Sequence, residues 1–304
     1  MSEYAVKPYS ELKKMLLILN PVSGKKASLR SLPDIISIFN ENGWAVTVFL
    51  TAKTGDATQY ARLYASKFDA IVCIGGDGTL NETVFGLVQS GTDTPIGYIP
   101  SGSTNDFATC HGIPSDMLIA AKNIASGNIK EIDLGDFGGR NFTYVAAFGI
   151  FSWLSYTTPQ NLKNVLGHTA YILDAVKDLP KLKSEHLKFR TDRGDYEGDY
   201  IFGAVCNSTS VAGTITLPSN VVDTGDGKFE ILLVHKPHSV IDLQNLLGGV
   251  FSQDYSSPFL DFFQTDSLKI EVPDGLEWAL DGERYVGNGT ICVSNMKKRL
   301  KLLV

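Results

Sequence analysis

Apolar runs and amphipathic stretches alternate along the first part of the chain. "MLLILN" (15–20) is an unbroken apolar run, the pattern of a buried strand, and 29–42 follows with Leu29, Leu32, Ile35, Ile36 and Phe39 at helical spacing before Gly43. The rhythm repeats as "WAVTVFL" (44–50, strand), "GDATQYARLYASK" (55–67, helix), "AIVCIG" (70–75, strand), 80–90 (helix) and "PIGYIP" (95–100, strand). "PSDMLIAAKNIASG" (114–127) reads as a helix opened by proline and closed by glycine. Such alternation predicts parallel strands covered by helices, with ligands beyond the carboxyl ends of the strands.

From about residue 130 the pattern changes. "EIDLGDF", "NFTYVAAFGIF", "HLKFRTD", "DYEGDYIFGAV", "KFEILLVH", "SLKIEV" and "TICVSN" are strand-like runs mostly joined by short turns, and only 160–180 and 238–250 read as helical. The expected architecture is an α/β domain with a parallel sheet over 1–130 and a β-rich, antiparallel, sandwich-like domain over 131–304. A cleft is expected between them, and the segment at about 290–304 is expected to return to the first domain.

Composition bounds the function classes. A chain of 304 residues can form two domains with separate cores. No run approaches the roughly 18 apolar residues of a membrane span, and "MSEYAVKPYSELKK" lacks the layout of a secretion signal, so a cytoplasmic protein is expected. Cys73, Cys110, Cys206 and Cys292 are isolated and read as small core residues of a reducing compartment. A net charge of -6 argues against nucleic acid as a partner, while a local basic cluster could still meet an anionic membrane. Oligomeric state is open, with a homodimer among the options.

Candidate chemistry concentrates in "IVCIGGDGTLNETV" (71–84), where a strand ends on glycines just before a helix. Helix N-termini favour anions, and glycines let phosphate oxygens reach the amides. The spacing is neither GxxxxGK[ST] nor a complete GxGxxG, because Asn81 stands at the third glycine. A tight turn with Asp77 as helix cap is the plainer alternative. Two more polar, glycine-bearing segments favour a ligand site: "NPVSGK" (20–25) after the first strand and "GSTNDFA" (102–108) after "PIGYIP".

At these segments the chain resembles the diacylglycerol-kinase catalytic family. Asn20, Pro21, Ser23 and Gly24 match it, as do Gly75 to Thr79 with Asn81 and Glu82, and Gly102, Asn105, Asp106 and Phe107. Sphingosine kinases, NAD kinases and phosphofructokinases share the glycine-glycine-aspartate-glycine element, so the asparagine-aspartate-phenylalanine segment carries the narrowing to lipid kinases. "DTGDGKFEILLV" (223–234) and "LDGERY" (280–285) extend the resemblance into the second half. Ser103 stands where the family usually has threonine, and "LPSNVVDTGDG" is a looser version of its segment.

The resemblance implies a kinase that uses ATP and Mg2+ on a lipid at the membrane surface, most simply diacylglycerol. Asn20, Ser23, Gly24, Gly75, Gly76, Asp77, Gly78, Thr79, Leu80, Asn81, Glu82 and Asn105 would hold the nucleotide, with Thr51 and Ser103 also touching it. Lys25 could reach a phosphate or simply be solvated. Asp77 and Asp106 are candidates for catalytic magnesium, directly or through water. A second, structural magnesium is implied at Asp226 with the carbonyls of Asp223 and Lys228, although "DTGDG" is also good turn material. Glu283 would accept the acceptor's proton, with Asp281 as neighbour and rival; a hairpin turn with exposed charges is the alternative.

Other features read more plainly. "DFG" (136–138) lacks the rest of a protein-kinase signature and reads as a turn. His235 and His238 lack a third zinc ligand. "TYVAAFGIFSWL" (143–154), with Trp153, reads as core or as the lining of an acyl-chain cleft. Lys181, Lys183, Lys188 and Arg190 could form a basic patch or a solvated face. A kinase for a sphingoid base or NAD, and a silent nucleotide-binding protein, remain alternatives.

Overall fold

The computed structural model describes residues 8–149, 183–211, 215–218 and 220–304. The expected helix at 160–180, Trp153 and Lys181 lie outside the described residues. Two compact units emerge, Met1–Asp133 with Lys298–Val304, and Leu134–Lys297. The chain passes between them at residues 133–134 and 297–298.

In the first unit β1 (Lys13–Leu19), β2 (Trp44–Leu50), β3 (Ala70–Gly75) and β4 (Ile96–Pro100) pair in the order β2-β1-β3-β4, all parallel. Every residue of β3 and β4 is buried, as expected for strands covered on both faces. Cover comes from α1 (Ala27–Glu41), α2 (Asp56–Tyr64), α3 (Asp77–Ser90), α4 (Asp106–His111) and α5 (Met117–Ser126). Met15, Leu17, Leu19, Val72, Ile74 and Ile99 of the strands pack with Ile35 and Phe39 of α1 and Ile124 of α5. Asp116, rather than Pro114, starts α5: its carboxylate accepts the amides of Leu118 and Ile119 at 2.9 and 3.0 Å. Closing the sheet beyond β4, Leu302 and Leu303 run parallel to Ile96 and Gly97.

The second unit is antiparallel. After β5 (Ile129–Phe137), which starts in the first unit, come β6 (Arg140–Phe142), β7 (Val145–Gly149), β8 (Glu185–Thr191) and β9 (Gly194–Cys206). They are followed by β10 (Ser210–Val211), β11 (Ile215–Thr216), β12 (Phe229–His235), α6 (Val240–Ser252), β13 (Leu260–Thr265), β14 (Ser267–Leu280) and β15 (Glu283–Leu303). Pairing among β9, β7, β14 and β8 closes on itself, since β9 and β14 each pair with both β7 and β8. Phe137, Phe142, Phe148, Phe189, Phe229 and Trp278 fill this unit's core.

Cysteine burial departs from expectation. Cys73 and Cys206 are core residues, but Cys110 is half-buried and Cys292 exposed. Alternation along β15 turns Cys292 outward between buried Ile291 and Val293.

Candidate active site

Three loops from β1, β3 and β4 meet at the start of α3. Asn20, just past β1, donates its amide to the Ile74 carbonyl at 2.9 Å and its side-chain nitrogen to Thr79 Oγ1 at 3.1 Å. Its Oδ1 accepts the Val22 amide at 3.1 Å, which shapes the loop that follows. Ser23 donates to the Asn20 carbonyl at 2.8 Å and lies 2.7 Å from the Ser101 hydroxyl. Gly24 adopts φ 54°, and a Cβ there would stand 2.4 Å from the Ser101 carbonyl oxygen. Only glycine therefore lets this turn lie against the β4 loop.

The other two loops touch through glycine. A Cβ on Gly102 would lie 2.6 Å from Gly76 Cα, and one on Gly75 2.5 Å from Thr79 Cβ. Gly76 caps α3 in extended conformation, and the first helical hydrogen bond runs from the Leu80 amide to the Gly76 carbonyl at 3.1 Å. The amides of Asp77, Gly78 and Thr79 thus have no intrahelical acceptor, which makes this turn a ready anion site. Leu80 contributes only backbone here, because its side chain is core.

Asp77 joins α3 to α4. Its two carboxylate oxygens accept the amides of Asp106 and Phe107, each at 3.3 Å. Burial pushes the Asp77 carboxyl up from the ordinary aspartate range, and the amides of Phe107, Asp106 and Asn105 oppose that rise. Carboxylate oxygens are the hard donors magnesium takes, so the chemistry of Asp77 and Asp106 fits that ion, with the amides around Asp77 fixing how its carboxylate lies.

Other candidates are placed differently. Glu82 turns toward α2, its carboxylate accepting the Gly55 amide at 2.9 Å and its carbonyl the Thr58 hydroxyl at 3.0 Å. It therefore braces the loop that begins at Thr51, whose amide donates to Leu19 at 3.0 Å. Asn81 is half-buried, and Ser103 is exposed at a loop tip. The Lys25 side chain lies outside the described residues. Ser101 was missed by sequence reasoning, although "PSGS" offers two serines and only the first is buried.

In the second unit, Leu280 and Glu283 pair across a two-residue turn with φ 49° at Asp281 and 84° at Gly282, the values of a type I′ hairpin. Asp281 is buried. One of its oxygens accepts the Thr143 amide at 2.6 Å and hydroxyl at 2.8 Å; the other accepts the amides of Tyr144 at 3.0 Å and Val145 at 3.1 Å. Burial raises this carboxyl's pKa, and the four donors work against the rise. These amides also explain why "NFTYVAAFG" is two strands, since Thr143 and Tyr144 turn toward Asp281. Glu283 is exposed, and Arg140 donates to the neighbouring Arg284 carbonyl at 3.0 Å.

The Asp223 loop is a turn whose carboxylates are tied to its own backbone. The Asp223 carboxylate accepts the Gly225 amide at 3.0 Å, Asp226 accepts the Lys228 amide at 2.8 Å, and the Lys228 carbonyl accepts from Asn295 at 3.2 Å. Buried Glu230 lies beside it, its carboxyl raised to about 7 chiefly by burial, with Asp226 and Asp223 adding repulsion. Accumulated acid of this kind fits a cation. Among the described residues no three His, Cys, Asp or Glu side chains converge as metal ligands, so carbonyls and water would complete the set.

The plainer readings take definite form. Asp136 of "DFG" accepts the Gly139 amide at 2.8 Å in the β5–β6 turn. His235 lies 2.8 Å from Asp261. Of the expected basic patch, Lys188 is held by Glu197 at 2.9 Å and Arg190 by Glu271 at 2.6 Å, while Lys183 is exposed.

Comparison with known proteins completes the picture. Residues 14–137 match the family described as diacylglycerol kinase catalytic domain. The chain is 30% identical to a diacylglycerol kinase of Bacillus subtilis (strain 168) over 274 residues, covering 90% of each chain. It is 34% identical to one of Staphylococcus aureus (strain JH9), covering 89% of this chain and 86% of the relative. Its fold is similar to the crystal structure of a diacylglycerol kinase from Bacillus anthracis str. Sterne, with TM-score 0.74, 22% identity, and coverage of 96% and 97%.

Proposed function

Since this chain belongs to the diacylglycerol kinase family, we propose that it transfers the γ-phosphoryl group of ATP to the free hydroxyl of diacylglycerol, giving phosphatidic acid and ADP. The observation that carries this reading is the glycine-to-glycine contact of two loops beside the first turn of α3, whose leading amides have no intrahelical acceptor.

In this reading the amides of Asp77, Gly78 and Thr79 bind phosphate oxygens, and Asn20 and Ser23 hold the loops in place. Asp77 and Asp106 offer oxygens to magnesium, which supplies charge neutralisation on the phosphates. The acceptor hydroxyl oxygen attacks the γ-phosphorus, the bond to the β-phosphate oxygen breaks with its electrons leaving on ADP, and Glu283 takes the hydroxyl proton. Asp281 holds the Glu283 hairpin instead of competing for that proton, because both its oxygens are already committed to donors. The Asp223–Lys228 loop serves a second, structural magnesium.

Diacylglycerol lies in a bilayer, so the enzyme meets it at the membrane surface; among the described residues no helix is long and apolar enough to cross a membrane. Labelled ATP offered with diacylglycerol, sphingosine and NAD, with and without magnesium, tests the proposal. Label should enter phosphatidic acid alone and only with magnesium. Labelled sphingosine phosphate or NADP would reassign the acceptor, and tight ATP binding without turnover would leave a silent nucleotide-binding protein.

A further inference from the structure

We infer that the Tyr98 hydroxyl is a positioning device for the nucleotide, tying the two glycine loops to each other from beneath; the inference rests on the nucleotide reading above. Tyr98 lies on β4 and is fully buried, its ring edge-on to Phe107 with centroids 5.9 Å apart. Its hydroxyl points at the Gly75 carbonyl, 3.2 Å away, and at Asn105 Oδ1, 3.1 Å away. Gly75 opens the loop after β3, whereas Asn105 closes the loop after β4. One buried hydroxyl therefore connects the two segments whose spacing sets the width of the anion site.

Asn105 passes the tie on to the backbone. It adopts φ 54°, uncommon for a residue with a side chain, and its amide group brackets Gly102. Oδ1 accepts the Gly102 amide at 3.0 Å, and Nδ2 donates to the Gly102 carbonyl at 2.9 Å. Gly102 is the residue in contact with Gly76. Burial, with the negative charge of Asp77 adding to it, pushes the phenol well above its ordinary range, so the hydroxyl stays a donor at any working pH. A phenylalanine would fill the same space without the tie. Both acceptors would still be satisfied, because Gly75 also accepts the Ser101 amide at 2.8 Å and Asn105 keeps Gly102. Removing the hydroxyl thus tests position with little confounding loss of fold.

The experiment is titration of magnesium and ATP into the full chain and into Tyr98→Phe, Asn105→Gly and the double variant, with kcat, both KM values and the thermal midpoint measured alongside. Glycine at 105 accepts the positive φ, so that variant loses the side chain without adding strain. For Tyr98→Phe the expected result is an ATP Kd and KM raised about 3- to 10-fold, the range of one neutral hydrogen bond. The kcat should stay within about twofold and the diacylglycerol KM should not move, as for lost uniform binding. The double variant should bind ATP no more weakly than Asn105→Gly, because the hydroxyl acts through that side chain.

An unchanged ATP Kd in Tyr98→Phe, fully additive effects in the double variant, or a fall confined to kcat would overturn the inference. If the unaltered chain binds ATP but phosphorylates no lipid, only the acceptor assignment fails, and the Kd ratio still decides the role of Tyr98. Failure of the unaltered chain to bind ATP overturns both.

Discussion

Two carboxylates two positions apart have opposite surroundings. Asp281 is shut into the fold with four donors, whereas Glu283 stands exposed on the strand that leaves the turn. Glu283→Gln should keep ATP affinity and lower kcat by about 10²- to 10⁴-fold, the usual range for a general base; single-turnover assays check it. Asp281→Asn should also cost stability, about 1–3 kcal/mol by urea unfolding, because an amide nitrogen would face N–H donors. His111 makes a different prediction. Its ring nitrogens are shut from solvent without partners, and burial, aided by the Lys130 charge, lowers its pKa to about 3. The unfolded chain then binds the extra proton below about pH 6.5, so His111's contribution is intact above that value and lost as pH falls toward 3. Unfolding midpoints should show the full chain losing about 2 kcal/mol between pH 7 and 5 from this group, and His111→Phe should remove that component. At this scale the sequence marked the candidate side chains, but Ser101 and Ser103 look alike until burial separates them.

Elements were legible where a long pattern dominated. The apolar runs of β1 to β4 and the periodic helices between them could be read directly, because a strand covered on both faces and a helix with one apolar stripe have different spacings. Short elements were not: α4 is six residues long, too short for a periodic signal, and is held by the Asp77 carboxylate from another helix. Glycines inside elements carry packing information that propensity hides. Gly86 costs α3 helix propensity, yet a Cβ there would come within 2.2 Å of the Thr58 carbonyl oxygen on α2. Gly86→Ala should therefore destabilise the chain by about 1–3 kcal/mol, where an exposed helical glycine would gain from the same change; thermal unfolding distinguishes the two signs.

For the whole molecule, charge is placed by the fold rather than by the sequence. Lys188 and Arg190 sit close together in the chain, but folding sets Glu197 directly opposite Lys188 on β9 and brings Glu271 of β14 diagonally to Arg190. Replacing both by alanine should leave binding to phosphatidylglycerol vesicles within about twofold, as measured by sedimentation; a large loss would restore them as membrane contacts. Much of the architecture follows from local pattern alone, since hydrophobic periodicity marks the change from alternating strands and helices to antiparallel runs, and three glycine-bearing motifs mark the loops that meet at the start of α3. Tertiary structure alone decided that Glu82 braces a loop, that Asp281 accepts three backbone amides and a hydroxyl, and that Tyr98 links the loops after β3 and β4. Such roles depend on partners up to 138 residues away, and a one-dimensional pattern records a residue's type and spacing without recording what folding brings against it.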